Sequence, residues 1–120
     1  PEHDATAREV LALLAPRLGR RPVIGVAGES GSGKTVTAVA LARALGARGV
    51  RAAVLHQDDY FVRPPRANHE HRRHDLAHVG PHEVDLARLA AHVAAFRAGA
   101  AVDAPEVDYA GDRFVARRVD

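Results

Sequence analysis

The chain has 120 residues, of which 47% are hydrophobic and 27% are charged, so its size and composition are those of one globular domain. Its formal net charge at pH 7 is only +2, which argues against a nucleic-acid binder, and no apolar run is long enough to cross a bilayer. Cysteine is absent, which excludes a disulfide framework, a cysteine–zinc site and a thiol nucleophile. We therefore expect a single cytoplasmic domain over residues 1–120.

The amino-terminal half of the sequence predicts two helices and two strands in alternation. A helical apolar period covers residues 4–18, and the predicted buried face of this helix consists of Val10, Leu13, Leu14 and Leu18. Short apolar, β-branched runs predict buried strands at residues 22–27 and 52–56, with an alanine-rich helix between them at residues 35–45. Because strands joined by a helix form right-handed parallel units, we expect an α/β fold with a mainly parallel sheet.

The carboxyl-terminal half has a weaker pattern. Residues 58–80 combine prolines, arginines and histidines with few apolar side chains, so they predict a long loop that contains at most a short helix. A helix is predicted from Pro81 to Arg97, because proline suits a first helical turn and apolar residues follow at helical spacing. Residues 102–120 predict short strands or a strand–turn segment.

Five of the eight histidines lie between residues 69 and 82, and three interpretations of this stretch remain open. The first is a solvated polar loop. The second is contact with a polar or anionic substrate, made by nearby histidines or by one of three arginines: Arg66, Arg72 and Arg73. The third is a metal site on one helical face formed by His71, His74, His78 and His82, for which the sequence lacks a ligating motif such as H-E-x-x-H.

Residues 28–35, which we call the phosphate loop, match the motif G-x-x-x-x-G-K-S/T at every fixed position. Glycines let successive backbone N–H groups converge on an anion, and the helix that follows presents its positive end. Lys34 is expected to reach the β- and γ-phosphates, and the Thr35 hydroxyl to bind Mg²⁺. The predicted nucleotide-binding residues are Gly28, Glu29, Ser30, Gly31, Ser32, Gly33, Lys34 and Thr35. The alternative is a glycine-rich turn without a ligand.

Two carboxylates, Asp58 and Asp59, follow the second predicted strand. In open α/β sheets ligands bind at the carboxyl ends of the strands, so this pair is expected on the same rim as the phosphate loop. A carboxylate at that position can accept the proton of an attacking hydroxyl or hold water around Mg²⁺. The alternative is an Asx turn or a helix cap at the end of the strand.

With these motifs the sequence resembles the uridine kinase and phosphoribulokinase group of P-loop kinases. Residues 25–35 are similar to the group's G-x-x-G-x-S-G-S-G-K-T, and residues 57–61 are similar to its Q-D-S/D-F/Y-Y/F. The resemblance implies a three-layer P-loop NTPase fold that binds ATP and Mg²⁺. It implies that Lys34 and Asp58 are catalytic, with Asp58 as the base, and that Asp59 is a second carboxylate at the magnesium or a cap.

The resemblance also implies the reaction, which is transfer of the γ-phosphoryl group to a small-molecule hydroxyl, with uridine or cytidine as the first expectation. The expected partners are then the nucleotide and the acceptor, and neither a membrane nor a nucleic acid is expected. A homo-oligomer is compatible with this reaction. In the group a further strand and an arginine-bearing lid follow the part that this chain resembles, so we expect the amino-terminal portion of the domain and an incomplete sheet. The alternative function is a regulatory or accessory P-loop domain that binds a nucleotide without kinase activity.

Overall fold

The computed structural model of the protein describes residues 2–29 and 31–120. The chain forms two compact units, residues 1–54 and residues 55–120. The single domain expected from the sequence stays a prediction. Among the helices of the described residues, none has both the length and the apolar character that a bilayer crossing requires.

The first unit is built on two packed helices, α1 (Glu2–Leu14) and α2 (Lys34–Ala47). Their core consists of Ala7 and Leu11 from α1 against Ala40 and Leu41 from α2. The two alanines are fully buried, and their small side chains let the helix axes approach closely. The helix predicted at residues 35–45 is therefore confirmed, with slightly wider bounds.

The prediction for the first helix is wrong in two respects. The α-helix ends at Leu14 and continues as a 3₁₀ turn over Ala15–Arg17, because Pro16 has no N–H to donate to a helical bond. The side chain of Leu13 is 77% exposed, whereas Ala7 and Leu11, one helical turn apart, form the buried stripe. Val10 packs against the same core, so the predicted face is correct at Val10 and wrong at Leu13.

The two predicted parallel strands are not hydrogen-bonded strands in the structure. Residues 22–27 and 52–56 have no regular secondary structure, and the described residues contain one sheet, which is antiparallel and two-stranded. A strand exists only where a neighbour takes up its N–H and C=O groups, and an apolar pattern alone does not supply that neighbour. The first segment still shows strand-like alternation, because Ile24 and Val26 pack on the helix pair while Val23 is exposed.

The second unit contains an antiparallel hairpin, β1 (Val102–Asp108) and β2 (Arg113–Val119). The hairpin confirms the strand–turn segment predicted for residues 102–120. Its buried face is Val102, Ala104 and Val119, against which Leu55 and Phe96 pack. Helix α4 (Leu86–Arg97) supplies Phe96 and begins later than predicted, because Asp85 caps it through a 2.9 Å bond from the N–H of Arg88. Residues Pro81–Glu83, predicted as its first turn, form a separate 3₁₀ turn.

Helix α3 (Pro65–His74) occupies the segment predicted to be mostly loop. Pro65 suits the first helical position, and the cap comes from the hairpin turn. The carboxylate of Asp112 accepts hydrogen bonds from the N–H groups of Arg66 at 2.7 Å and Ala67 at 3.1 Å. A partner 45 residues away in sequence cannot be found from local spacing.

The histidines predicted to share one helical face do not do so. Helix α3 ends at His74, so His78 and His82 lie beyond it in separate 3₁₀ turns. Over residues 2–29 and 31–120, no group of three or more histidine, aspartate or glutamate side chains is placed to hold a metal ion.

Replacing Asp112 with glycine is expected to lower the free energy of unfolding by about 1–2 kcal/mol, because the amino terminus of α3 loses both carboxylate oxygens that cap it. Asp112 has a φ of 49°, and glycine accepts this left-handed conformation without strain. Asp112→Asn keeps one acceptor oxygen and tolerates the same conformation, so its loss should be smaller. Urea unfolding of the two variants checks this, and a glycine variant as stable as the parent would contradict the cap.

Candidate functional site

The phosphate loop adopts a conformation that depends on its glycines. Gly31 and Gly33 have φ values of 80° and 85°, in the left-handed region that side chains with a Cβ avoid. At Gly28 a Cβ atom would collide with the Oγ of Ser32. Ser32 in turn closes a tight turn, because its N–H donates to the carbonyl of Glu29 at 3.1 Å. A residue with a Cβ would therefore be strained at Gly31 and Gly33.

The carboxyl end of the phosphate loop is the amino terminus of α2. The first helical bond runs from the N–H of Thr37 to the carbonyl of Gly33 at 2.9 Å. The N–H groups of Lys34, Thr35 and Val36 precede that bond and have no helical carbonyl to reach, and Gly33 at the N-cap has no side chain to cap them. Three donors and the positive end of the helix dipole thus face the same point, which suits a phosphate group.

Lys34 lies at the first position of α2 and turns back over the phosphate loop. Its Nζ donates to the carbonyl oxygen of Glu29 at 3.3 Å, which holds the ammonium group beside the loop. Thr35 is exposed at the next position. Ser30, which the sequence placed among the nucleotide-binding residues, lies outside the described residues.

Asp58 and Asp59 lie on a 3₁₀ turn, Gln57–Tyr60, at the start of the second unit. Tyr60 anchors this turn: it is 1% exposed, and its hydroxyl shares a 2.7 Å hydrogen bond with Nδ1 of His92 on α4. The carbonyl of Tyr60 also accepts the N–H of Asp85 at 2.7 Å. Burial raises the pKa of the Tyr60 phenol, so the hydroxyl stays neutral and keeps this bond.

The two aspartates of the turn have different surroundings. Asp59 is half-buried, and its Oδ1 accepts the N–H of Val107 in β1 at 3.1 Å. One of its oxygens is therefore committed to the backbone of β1, which is neither the Asx turn nor the helix cap of the alternative interpretation, and its role as a magnesium ligand stays a prediction. Asp58 is exposed and lies at a cleft of the second unit.

This cleft, which we call the Asp58 cleft, has a volume of about 250 Å³. Its lining combines a carboxylate, two arginines, an amide, a histidine and two aromatic rings. The lining residues are Asp58, Phe61, Arg63, Pro65, Asn68, His69, Arg72 and Tyr109. Small-molecule sites have this composition, with apolar walls and a few polar groups that fix orientation.

The structure separates the three arginines that the sequence could not rank. Arg66 donates from Nη2 to the carbonyl of Ala110 at 3.2 Å, and Arg73 donates from Nη1 to Glu70 at 3.4 Å. Neither lines the Asp58 cleft, whereas Arg72 does. Of the arginines considered, Arg72 is the one with access to a molecule in the cleft.

A buried glutamate holds Arg72 in place. Glu83 is 3% exposed, and its carboxylate accepts from both Nε and Nη2 of Arg72, the second at 2.8 Å. The same carboxylate accepts from the side-chain amide of Asn68 at 2.8 Å and from the N–H of Gly80 at 2.9 Å. The bond from Arg72 is the main cause that holds the pKa of Glu83 far below its usual value.

Sequence reasoning missed this network. The helix predicted from Pro81 to Arg97 placed Glu83 in a first helical turn and gave it no partner among residues 65–74. The available signal was the four-residue spacing of Asn68 and Arg72, which puts both on one face of a helix once α3 is recognised.

Stability is expected to fall as the pH drops below about 5, partly because of Glu83. The folded state lowers the pKa of Glu83, so the unfolded chain binds the proton first and acid favours unfolding. This contribution is complete above the unfolded pKa of about 4.3 and is lost as the pH falls towards the folded pKa. Urea midpoints between about pH 6 and pH 3 should therefore decline less steeply in Glu83→Gln than in the parent.

The matched control for that titration is Asp108→Asn. The Arg113 side chain and the N–H of Gly111 lower the pKa of Asp108, so part of the acid sensitivity belongs to that carboxylate. An acid slope that is identical in the parent and in Glu83→Gln would show that the Arg72–Glu83 contact contributes nothing to stability.

The comparisons with known proteins include a family match that spans the phosphate loop. The family model described as Methylmalonyl Co-A mutase-associated GTPase MeaB matches residues 1–61. The chain is 37% identical over 87 residues to a uridine kinase of Deinococcus deserti, an alignment that covers 72% of this chain and 41% of the relative. It is 42% identical over 89 residues to a uridine kinase of Chloroflexus aggregans, which covers 73% and 41%. No solved structure matches the chain.

These alignments cover most of this chain but less than half of either relative. The MeaB model spans α1, the phosphate loop and α2, and it extends to the turn that carries Asp58. The chain therefore belongs to the P-loop nucleotide-binding proteins that the MeaB model describes over residues 1–61, and its resemblance to the uridine kinase-like P-loop kinases is confirmed.

Proposed function

We propose that this protein takes part in ATP-dependent transfer of the γ-phosphoryl group to a hydroxyl of a small molecule, with uridine or cytidine as the first candidates. The observation that carries the proposal is the Asp58 cleft: an exposed carboxylate beside aromatic walls, in a chain that also carries a phosphate loop. The uridine kinase relatives support the nucleoside as acceptor. Because the chain spans 41% of their length, the activity of the whole protein is part of the proposal.

Each group has a defined task in this reaction. The N–H groups at the start of α2 and the ammonium of Lys34 hold the phosphates of the nucleotide. Asp58 accepts the proton of the acceptor hydroxyl as its oxygen bonds to the γ-phosphorus, while the bond to the β-phosphate oxygen breaks and ADP leaves. Catalysis then comes from positioning and charge neutralisation.

The loop suits a nucleotide because its glycines hold the closed conformation and its helical N–H groups have no cap. When bound, Mg²⁺ would neutralise phosphate charge, with Thr35 and Asp59 as its protein ligands. Magnesium usually takes one or two protein ligands together with phosphate and water, so a compact acidic cluster is not required.

The proposed reaction needs the fold that the sequence predicts. We propose that residues 22–27 and 52–56 become strands of a mainly parallel sheet when a hydrogen-bonding neighbour is present, as in a three-layer P-loop NTPase fold. The alternation of Ile24 and Val26 against the helix pair supports this assignment for the first segment.

A second candidate function is a nucleotide-binding regulatory or accessory domain that transfers no phosphate. The match of residues 1–61 to a GTPase family model favours it, because that match covers the phosphate loop and none of the cleft beyond residue 61. If the protein has this function, adding a nucleoside should not change its affinity for the nucleotide.

The experiment that separates the two is release of ADP or GDP from Mg·ATP or Mg·GTP, with and without uridine, cytidine and a panel of other hydroxyl compounds. Release that depends on one acceptor supports the kinase and identifies its substrate. Tight nucleotide binding with release that no acceptor stimulates supports the regulatory domain instead.

A further inference from the structure

We propose that Arg72 is a specificity-determining residue of the acceptor site and donates a hydrogen bond to an oxygen of the acceptor other than the reacting hydroxyl. The inference rests on the proposed function and deepens it. It also assigns Glu83 as the positioning residue that aims Arg72.

The guanidinium group of Arg72 is oriented by its two bonds to Glu83. A guanidinium carries five N–H donors in one plane, and Glu83 takes one from Nε and one from Nη2 of Arg72. Three donors therefore remain on the other edge of the plane. The side chain of Arg72 is 40% exposed and lines the Asp58 cleft, while that of Glu83 is 4% exposed beneath it. The paired edge thus meets a buried carboxylate, and the side chain of Arg72 remains accessible from solvent and from the cleft.

The orientation of Arg72 is held firmly because Glu83 has further partners. Glu83 is itself bound by the amide of Asn68, one turn before Arg72 on α3, and by the N–H of Gly80. Helix α3 and the segment at Gly80 therefore both hold the Glu83 carboxylate, and this carboxylate holds Arg72. By contrast, Arg73 meets Glu70 through a single contact at 3.4 Å, and both side chains are largely exposed. A surface pair of that kind holds little, whereas a bidentate pair on a buried carboxylate pre-orients its donors.

Asp58 and Arg72 together define which kind of molecule would fit the Asp58 cleft. Asp58 as a carboxylate only accepts hydrogen bonds, and Arg72 only donates them. One compound satisfies both when it presents a hydroxyl hydrogen to Asp58 and a lone pair of a second oxygen to Arg72. Phe61 and Tyr109 add apolar surface to the same cleft, which suits the face of a ring. A cleft of about 250 Å³ suits a small ring-bearing polyol.

A hydrogen-bond donor that is held in place improves both affinity and selectivity. A donor that is held in place loses little conformational freedom when the ligand binds, so more of its hydrogen-bond energy contributes to affinity. A site built around an oxygen also rejects the analogue that lacks that oxygen, because the fixed donor is then left without its partner. Arg72 therefore discriminates between acceptors in addition to attracting them.

The test pairs Arg72 variants with acceptor analogues. The acceptors are uridine, 2′-deoxyuridine, 3′-deoxyuridine and 4-deoxyuridine, each analogue lacking one oxygen, and KM and kcat are measured for each. In the parent, one analogue should show a KM at least about tenfold above that of uridine. Arg72→Gln should raise the KM for uridine by a similar factor with a smaller effect on kcat, and should abolish the difference between uridine and that analogue.

Two further variants distinguish recognition from a general structural effect. Arg72→Lys keeps the charge but cannot form the bidentate contact with Glu83, so it should recover only part of the affinity. Arg73→Gln changes the neighbouring arginine on α3, outside the cleft, and should leave both KM and the analogue pattern unchanged. Circular dichroism checks that each variant retains its helices. An Arg72→Gln protein that still discriminates against the same analogue as strongly as the parent would overturn the proposal.

Failure of this inference can be told apart from failure of the proposed function. Uridine binding to the parent and to Arg72→Gln is measured by calorimetry without nucleotide. If no acceptor is phosphorylated but uridine binds and Arg72→Gln weakens that binding about tenfold, the kinase proposal fails and Arg72 keeps its role. If uridine does not bind to the parent, or binds equally to both proteins, the inference is wrong whatever the kinase assay shows.

Discussion

Asp58→Asn is expected to lower acceptor-dependent phosphoryl transfer by about 10²- to 10⁴-fold, the range that a general base contributes. Asparagine has nearly the shape of aspartate but cannot take a proton from the acceptor hydroxyl. The fold should tolerate the change, because Asp58 is exposed and its turn is anchored by Tyr60 and by the contact of Asp59 with β1. Nucleotide affinity should change by less than about twofold, since Asp58 has no assigned contact with the phosphates.

The measurement is kcat for the preferred acceptor together with the Kd for Mg·ATP by calorimetry. Asp103→Asn is the matched control, because Asp103 is an exposed carboxylate of β1 that pairs with Arg118 and does not line the Asp58 cleft. A kcat for Asp58→Asn within a few-fold of the parent would remove Asp58 from the role of base. A large loss of nucleotide binding in the same variant would assign it to the nucleotide instead.

Lys34→Ala is expected to weaken nucleotide binding by about 10- to 100-fold, which corresponds to the loss of a hydrogen bond to a charged group. The ammonium lies against the phosphate loop through the carbonyl of Glu29, so it is already close to where phosphates would bind. The chain has no other lysine, and its other basic side chains are arginine and histidine. No second ammonium side chain is present to compensate.

Calorimetry with Mg·ATP and Mg·GTP measures this effect and also compares the two nucleotides. Arg48→Ala is the control, because it removes an exposed positive charge just beyond the carboxyl end of the same helix, far along α2 from the loop. Parent-like affinity in Lys34→Ala would contradict the assignment of residues 28–35 as a phosphate site. Selective loss of affinity for one nucleotide would identify the physiological one.

The parts that sequence reasoning predicted well are those whose partners are close in the chain. Helix α2 was placed to within two residues at its carboxyl end, because the glycines of the phosphate loop mark its start and an alanine-rich run follows them. The hairpin was located by the same local logic, whereas the 3₁₀ turn that carries Asp58 and Asp59 was not predicted. Among the candidate site residues, Lys34 and Asp58 lie where a ligand could reach them, although their roles stay predictions.

The parts that could not be predicted depend on distant partners. Helix α3 begins where Asp112 caps it, and Arg72 is aimed by Glu83, which lies 11 residues away across a break in helical structure. The predicted face of α1 included the exposed Leu13, and contact with Ala40 and Leu41 is what selects Ala7 and Leu11 as its buried residues. The parallel strands require a neighbour that a pattern within one segment does not specify.

The two tyrosines have opposite surroundings, and this has a practical consequence. Tyr60 is buried and hydrogen-bonded to His92, whereas Tyr109 is 70% exposed on the wall of the Asp58 cleft. The chain contains no tryptophan, so its near-ultraviolet emission comes from these two phenols alone. A molecule that enters the cleft covers Tyr109, whereas Tyr60 is already buried. Ligand binding can therefore be followed by intrinsic tyrosine fluorescence without a label.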